Sequence, residues 1–334
     1  MNKPIRVLVI DDSAFNRRTL TRLLESIQGV EVVATATDGN EGLKQAMRLK
    51  PDLITLDLEM PVMDGFTFLR ILMKTSPTPV IVISSRGEDI NVFKAMELGA
   101  VDFIPKPTHI PSLALFDIKD ELAMKIKMLP HLQIDKVAKF EGKHQVSGIQ
   151  YPEERHEEPR AGYGAWDVVA VGSSTGGPPA LSAILPNFPE GFPASVVVSQ
   201  HMPPGFTKPF AERLNKICKI NVREAGDNEG VKGGEVLIAP GGCHLSFRRD
   251  SKGVVMTRLM ERKVDDKYVP SVDIMFSSSA EVWGKRTIGV VLTGMGHDGK
   301  EGVVAIKEKG GYVMAESQET SIIFGMPESA IATG

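Results

Sequence analysis

The sequence predicts an α/β protein of two domains, and three observations carry that expectation. The chain has 334 residues, more than one ordinary hydrophobic core encloses. Short apolar runs alternate with helical patterns in two blocks, residues 1–125 and 165–334, and such alternation builds parallel sheets covered by helices. Between them the rhythm lapses. Residues 126–164 carry Glu153-Glu154-Arg155-His156-Glu157-Glu158-Pro159 and then Gly162-Tyr163-Gly164, which reads as a solvated linker. The linker histidines His131, His144 and His156 read as solvated and are set aside as catalytic candidates.

Composition narrows the function classes. Apolar residues make up 42% and charged residues 24%, with a formal net charge of -3. That balance offers no overall attraction for nucleic acid or an anionic membrane surface. A DNA-binding output would need a basic recognition helix in a short C-terminal domain, and none is evident. The two cysteines, Cys218 and Cys243, form no disulfide framework and suit a reducing compartment. No apolar run approaches the ~18 residues of a membrane span, and the N-terminus opens directly into a strand pattern, so a cytoplasmic protein is expected.

In the first block the strand-like runs are 5–10, 53–56, 80–83 and 101–104. Parallel sheets gather their functional groups at the carboxyl ends of the strands. There stand Asp11 and Asp12, Asp57, Ser84 and Lys106. Grouped carboxylates repel one another unless they share a cation, and an incomplete all-oxygen shell suits Mg²⁺. The pattern reads as a phosphoryl-transfer site, with Asp57, deepest by strand order, as nucleophile and Lys106 and Ser84 stabilising the transferred group. Taken singly, Asp12 or Ser13 could equally be a helix cap.

Asp11-Asp12, Asp57 with Met60-Pro61 and Asp64-Gly65, Ser84, and Lys106-Pro107 together resemble the receiver domain of two-component response regulators across the block. The resemblance implies a flavodoxin-like fold with a five-stranded parallel sheet and Mg²⁺ held around Asp11, Asp12 and Asp57. It further implies phosphorylation of Asp57 by a histidine kinase, and a Ser84/Phe103 pair that reports it. Asn16 departs from the apolar residue that relatives often carry there.

In the second block, runs at 166–171, 194–199, 235–239, 287–292 and 311–315 predict another α/β sheet. The first runs into Gly172-Ser173-Ser174-Thr175-Gly176-Gly177, a G-x-S-x-G pattern centred on Ser174, which would expose a hydroxyl on a sharp strand-to-helix bend. Alone, such a turn could bind a phosphate or simply reverse the chain. Gln200-His201 ends the second run, and Gly294-Met295-Gly296-His297-Asp298-Gly299 follows the fourth. A serine needs an imidazole to take its proton, and the imidazole a carboxylate to hold its tautomer. Ser174, His201 and Asp298 can fill those roles. His244, at the entry of an expected β-hairpin, and His297 are the alternative bases, and Asp298 could instead cap the helix that follows it.

The motifs Gly172 to Gly177, Gln200-His201-Met202-Pro203-Pro204-Gly205, Pro240-Gly241, Pro270-Ser271-Val272-Asp273 and Leu292-Thr293-Gly294-Met295-Gly296 with Asp298-Gly299 resemble the chemotaxis protein-glutamate methylesterase family. Joined to the receiver-like block, the resemblance spans nearly the whole chain. It implies hydrolysis of γ-glutamyl methyl esters on methyl-accepting chemoreceptors, often with deamidation of receptor glutamines, by a Ser174, His201, Asp298 triad that needs no cofactor. Backbone N–H groups around Thr175 and Met295 are the expected oxyanion donors, and the unphosphorylated receiver is expected to cover the active site. His297 stands where relatives often have another polar residue. The chain also ends at Gly334, where relatives are expected to continue further.

Overall fold

The computed structural model describes residues 3–84, 89–106, 112–134, 136 and 166–334. Most of the linker, including His144 and His156, lies outside the described residues. The chain forms two compact units: the described residues of 1–141 with 318–324, and those of 142–317 with 325–334. Among the described residues no helix is long and apolar enough to cross a membrane.

The first unit runs β1 (Ile5–Ile10), α1 (Ala14–Glu25), β2 (Val30–Ala36), α2 (Gly39–Leu49), β3 (Leu53–Asp57), α3 (Gly65–Thr75), β4 (Val80–Ser84), α4 (Asp89–Glu97), β5 (Asp102–Pro105) and α5 (Ser112–Lys127). The sheet order is β2-β1-β3-β4-β5, all parallel. This is the flavodoxin-like order, in which the direction of strand addition reverses between β1 and β3 while every strand stays parallel. β3 and β4 are buried along their whole length, as continuous apolar runs covered on both faces require. Side chains stop the helices from fraying at their starts: Ser13 accepts from Asn16 N, Asp38 from Asn40 N and Glu41 N, and Asp64 from Thr67 N. Asp12, by contrast, caps nothing and is exposed. The core joins Val7, Val9, Leu20, Leu24, Leu53, Ile81, Ile83 and Ile104 to Ile118, Leu122 and Ile126 of α5.

The second unit continues with β6 (Val168–Ser173), α6 (Gly177–Ile184), β7 (Ser195–Gln200), α7 (Thr207–Ile217), β8 (Asn221–Glu224), β9 (Glu235–Ile238), β10 (Cys243–Arg249), β11 (Val255–Glu261), α8 (Val272–Trp283), β12 (Thr287–Val291), α9 (Lys300–Glu308), β13 (Tyr312–Ala315) and α10 (Gly325–Ile331). Six strands form a parallel sheet in the order β13-β12-β6-β7-β9-β8, and β10 and β11 form the expected antiparallel hairpin. The strand over 166–171 lies two residues further on, so that Ser173 ends β6 and Ser174 is the first residue beyond it. Edge strands β2 and β8 were not among the expected runs; each has one buried residue, Ala36 and Val222, among half-buried and exposed ones.

The hairpin packs on α8 through Leu245 and Phe247 against Met275 and Phe276, with Phe247 edge-on to Trp283 at 5.0 Å. Phe276 is wholly buried; truncating such a side chain costs ~3–5 kcal/mol. The hairpin and α8 therefore form one rigid block, and the loop between them is anchored at both ends.

Candidate active site and phosphorylation site

In the second unit the chain leaves β6 for β7 on one side and returns through β12 on the other. The carboxyl ends of β12, β6 and β7 are consequently neighbours, at the place where the strand order reverses, which is where open α/β sheets bind their ligands. Ser174 follows β6, His201 follows β7, and the loop carrying Met295 and Asp298 follows β12.

Hydrogen bonds stitch these ends together. Ser174 N donates to Thr293 O at 3.0 Å, and His201 N to Ser173 O at 3.0 Å. The Thr293 hydroxyl donates to Thr175 O at 3.0 Å. Gln200, only 2% exposed, accepts from the Ser173 hydroxyl at 2.7 Å and donates from Nε2 to both Ser174 O (2.9 Å) and His201 O (3.0 Å). One amide thus ties the serine turn to the histidine turn. Gly176 takes a left-handed conformation (φ 80°) where that turn enters α6, the geometry glycine adopts without strain.

His201 Nε2 lies 2.7 Å from Asp298 Oδ2. Asp298 is 3% exposed and does not cap its own helix, where Gly299 stands at the N-cap. It serves instead the N-terminus of α8. Val272 N donates to Oδ2 at 2.7 Å, while Asp273 N (3.0 Å) and the Ser271 hydroxyl (3.1 Å) donate to Oδ1. Burial alone would raise its pKa; the bond and charge of His201 and the two backbone N–H groups overcome that and hold it at about 2. Neighbouring Asp273 goes the other way, to about 6, through burial and the nearby Asp298 charge, against the bond from Gly302 N.

Tyr268 stacks on His201 with ring centroids 4.9 Å apart and planes 9° off parallel, and meets exposed His297 edge-on at 6.2 Å. The loop after β12 presses on the serine: a Cβ on Gly294 would stand 2.8 Å from Ser174 Cβ and 2.3 Å from Met326 Sδ. Met326 N and Gly325 N both donate to Gly294 O, at 2.8 and 3.2 Å, which fixes the peptide leading to Met295. Among the described residues, the hydrogen bonds of Ser174 run through its backbone, and its side chain is half-buried at the site. Contacts between a nucleophile and its base are often long without substrate.

His244 is 1% exposed, and both ring nitrogens are engaged: Nε2 with Asp266 Oδ2 at 2.9 Å, and Nδ1 with Ser271 N at 3.1 Å. Neither is available to Ser174. Sequence reasoning gave Gln200, Tyr268 and Ser271 no role. The Pro270-Ser271-Val272-Asp273 run does carry an N-cap signal, but nothing local marks Tyr268.

In the first unit, Asp57 is fully buried and accepts from Lys106 Nζ at 2.8 Å. Burial raises its pKa, moderated by Lys106. Asp11 rises to about 6 through burial and then the charge of Asp57. Carboxylate oxygens of Asp11, Asp12 and Asp57 lie within 4.8 Å of one another, and Asp11 Oδ2 is buried with no hydrogen-bond partner. Crowded carboxylates with an orphaned oxygen fit a hard divalent cation with oxygen ligands, as Mg²⁺ requires. Ser84 ends β4, and its carbonyl accepts from Lys106 N at 2.7 Å. Phe103 is buried on β5, with Phe93 edge-on at 6.3 Å.

Residues 169–334 match the CheB methylesterase family model, and residues 7–115 the response regulator receiver domain. A protein-glutamate methylesterase/protein-glutamine glutaminase of Geobacter sulfurreducens is 52% identical over 99% of this chain and 93% of its own. One of Myxococcus xanthus is 48% identical over 99% and 92%, and one of Pyrococcus horikoshii 42% over 100% and 89%. The crystal structure of the Thermotoga maritima CheB methylesterase catalytic domain is similar over 51% of this chain and 90% of its own, at 46% identity and a TM-score of 0.49. The chain belongs to the CheB methylesterase family, with a response regulator receiver domain preceding the methylesterase domain.

Proposed function

We propose that this protein hydrolyses γ-glutamyl methyl esters on methyl-accepting chemoreceptors, releasing methanol, and deamidates receptor glutamines at the same site, in the cytoplasm. The observation that carries the reading is the His201–Asp298 pair beside the Ser174 turn, on adjoining ends of three parallel strands. In this reading Ser174 attacks the ester carbonyl as His201 takes its proton, and Asp298 stabilises the imidazolium. Backbone N–H groups around Thr175 and Met295 receive the oxyanion. Methanol leaves with the proton from His201, and water then cleaves the acyl-enzyme with His201 again as base.

The assigned modules are receiver 1–125, linker 126–164 and catalytic domain 165–334. Asp57 accepts the phosphoryl group from a histidine kinase of the chemotaxis array. Asp11, Asp12 and Asp57 would hold Mg²⁺, which supplies neutralisation of phosphoryl charge when bound. Lys106 pairs with the phosphorylated site, and Ser84 and Phe103 report it. The unphosphorylated receiver covers the catalytic site. The test is methanol release from methylated receptor membranes, with and without Mg²⁺ and acetyl phosphate. The wild-type rate should need Ser174 and rise with phosphodonor only when Asp57 is present; no release from folded, phosphorylated protein would refute the reading. Deletion of residues 1–130 should raise the unstimulated rate, and an unchanged rate would exclude covering.

A further inference from the structure

We propose that His244 is a positioning residue for hydrolysis, holding Asp298 through Ser271; the inference rests on the triad reading above. Ser271 N–H can only donate, so the His244 Nδ1 it meets at 3.1 Å is an acceptor. The ring proton therefore sits on Nε2 and is donated to Asp266 Oδ2 at 2.9 Å. Asp266 is itself tied down by Lys263 N at 2.6 Å. The imidazole is a strut between the two ends of one strap, residues 266–271, in a single tautomer.

That strap carries the groups that set the His201–Asp298 pair. Tyr268 lies flat on His201. Ser271 is the N-cap of α8, its hydroxyl accepting from Ile274 N at 3.3 Å while donating to Asp298 Oδ1 at 3.1 Å. The one hydroxyl proton of Ser271 goes to Asp298, and the residue that aims it is held by Ile274 N at the hydroxyl and by His244 Nδ1 at the backbone N–H. His244 also belongs to β10, which packs on α8 beside Leu245. The strut thus refers the strap to the same rigid block that presents Val272 N and Asp273 N to the carboxylate.

Two substitutions separate the ring's two contacts. In His244→Asn the amide oxygen occupies the place of Nδ1 and still accepts from Ser271 N–H, while Asp266 loses the imidazole donor and keeps Lys263 N. In His244→Gln the amide reaches Asp266, and Ser271 N–H loses its acceptor. The full-length protein, activated with Mg²⁺ and acetyl phosphate, is assayed for methanol release and for the rate at which a fluorophosphonate labels Ser174, with thermal melts in parallel. H244Q is expected to lower kcat and the labelling rate about 100-fold with KM unchanged, and H244N to stay within about tenfold of wild type. Ser271→Ala should match H244Q, and the double variant H244Q/S271A should be no worse than either single one.

A role in packing alone predicts equal losses in H244N and H244Q that track their melting temperatures. That result, or additive losses in the double variant, overturns the inference while leaving the triad reading intact. Absence of labelling in activated wild-type protein overturns both. If H244Q does not fold, the comparison of H244N with S271A decides: S271A must then be slow while H244N is not.

Discussion

His201 turns Nε2, rather than Nδ1, to Asp298, at 2.7 Å. In the proposed mechanism the nitrogen that would take the Ser174 proton is then Nδ1, and the Asp298 oxygen that holds the ring is also held by Val272 N. The imidazole is oriented by a carboxylate that is itself oriented by a helix N-terminus, where negative charge is favoured. Removing Ser174 or His201 should lower methanol release ~10⁴- to 10⁶-fold, and Asp298→Asn by about 10⁴-fold. His297→Ala should stay close to the wild-type rate, because His297 is exposed and touches Tyr268 by its edge. A collapse in His297→Ala with His201→Ala near normal would reverse the assignment of the base.

Acid should weaken the fold through Asp298. Its folded pKa, about 2, lies below the ordinary 3.8, so its contribution is complete above the ordinary value and is lost as pH falls toward 2. The stability gap between wild type and Asp298→Asn, on the order of 2 kcal/mol at neutral pH, should close over that window. Denaturant melts at intervals between pH 5 and pH 2 measure it, and a pH-independent gap would contradict the depressed value. Asp273, raised to about 6, acts with the opposite sign at higher pH, its contribution falling as pH rises from the ordinary carboxylate value through about 6.

Gln200→Glu replaces a donor to two carbonyls with a carboxylate oxygen facing them. The variant should lose about 3 kcal/mol or more at pH 7 and recover part of it on acidification, because a protonated carboxyl can donate again. Thermal melts at pH 5 and pH 8 distinguish this from a loss indifferent to pH.

Gly294→Ala should slow turnover at least about tenfold, since the new Cβ pushes on Ser174 Cβ and Met326 Sδ together. Shortening Met326 in the same chain removes only the second clash, so Gly294→Ala/Met326→Ala should remain slow. Recovery in the double variant would mean that Met326 alone sets the loop.

Chelation of Mg²⁺ should abolish stimulation by acetyl phosphate and leave the unstimulated rate unchanged. Lys106→Ala should also blunt stimulation, because it removes the ammonium 2.8 Å from Asp57. Phosphoprotein yield and methanol release, measured together, separate failure to phosphorylate from failure to respond.

The strands that carry site residues were legible because buried parallel strands read as continuous apolar runs, and Asp57, Lys106, Ser174 and His201 stand at their ends. β6 begins two residues later than expected, at Val168, although Asp167 before it already donates to Arg286 O and accepts from Ser195 N. The edge strands β2 and β8 escaped notice because half-exposed strands mix polar and apolar residues. As for Asp298, its position before a helix suggested a local cap, whereas the structure gives it to a helix starting 26 residues upstream.

By itself the sequence determined the two α/β modules, the parallel sheets and the chemistry available at their strand ends, since these follow from local periodicity and residue type. Only the tertiary structure decided that Asp298 meets His201, that Gln200 joins two turns, that Tyr268 lies on the imidazole, and that His244 faces Asp266 and Ser271. The reason is physical: each relationship joins groups on different elements through directional hydrogen bonds or ring contacts, and direction is set by how the elements pack, a quantity that no local pattern carries.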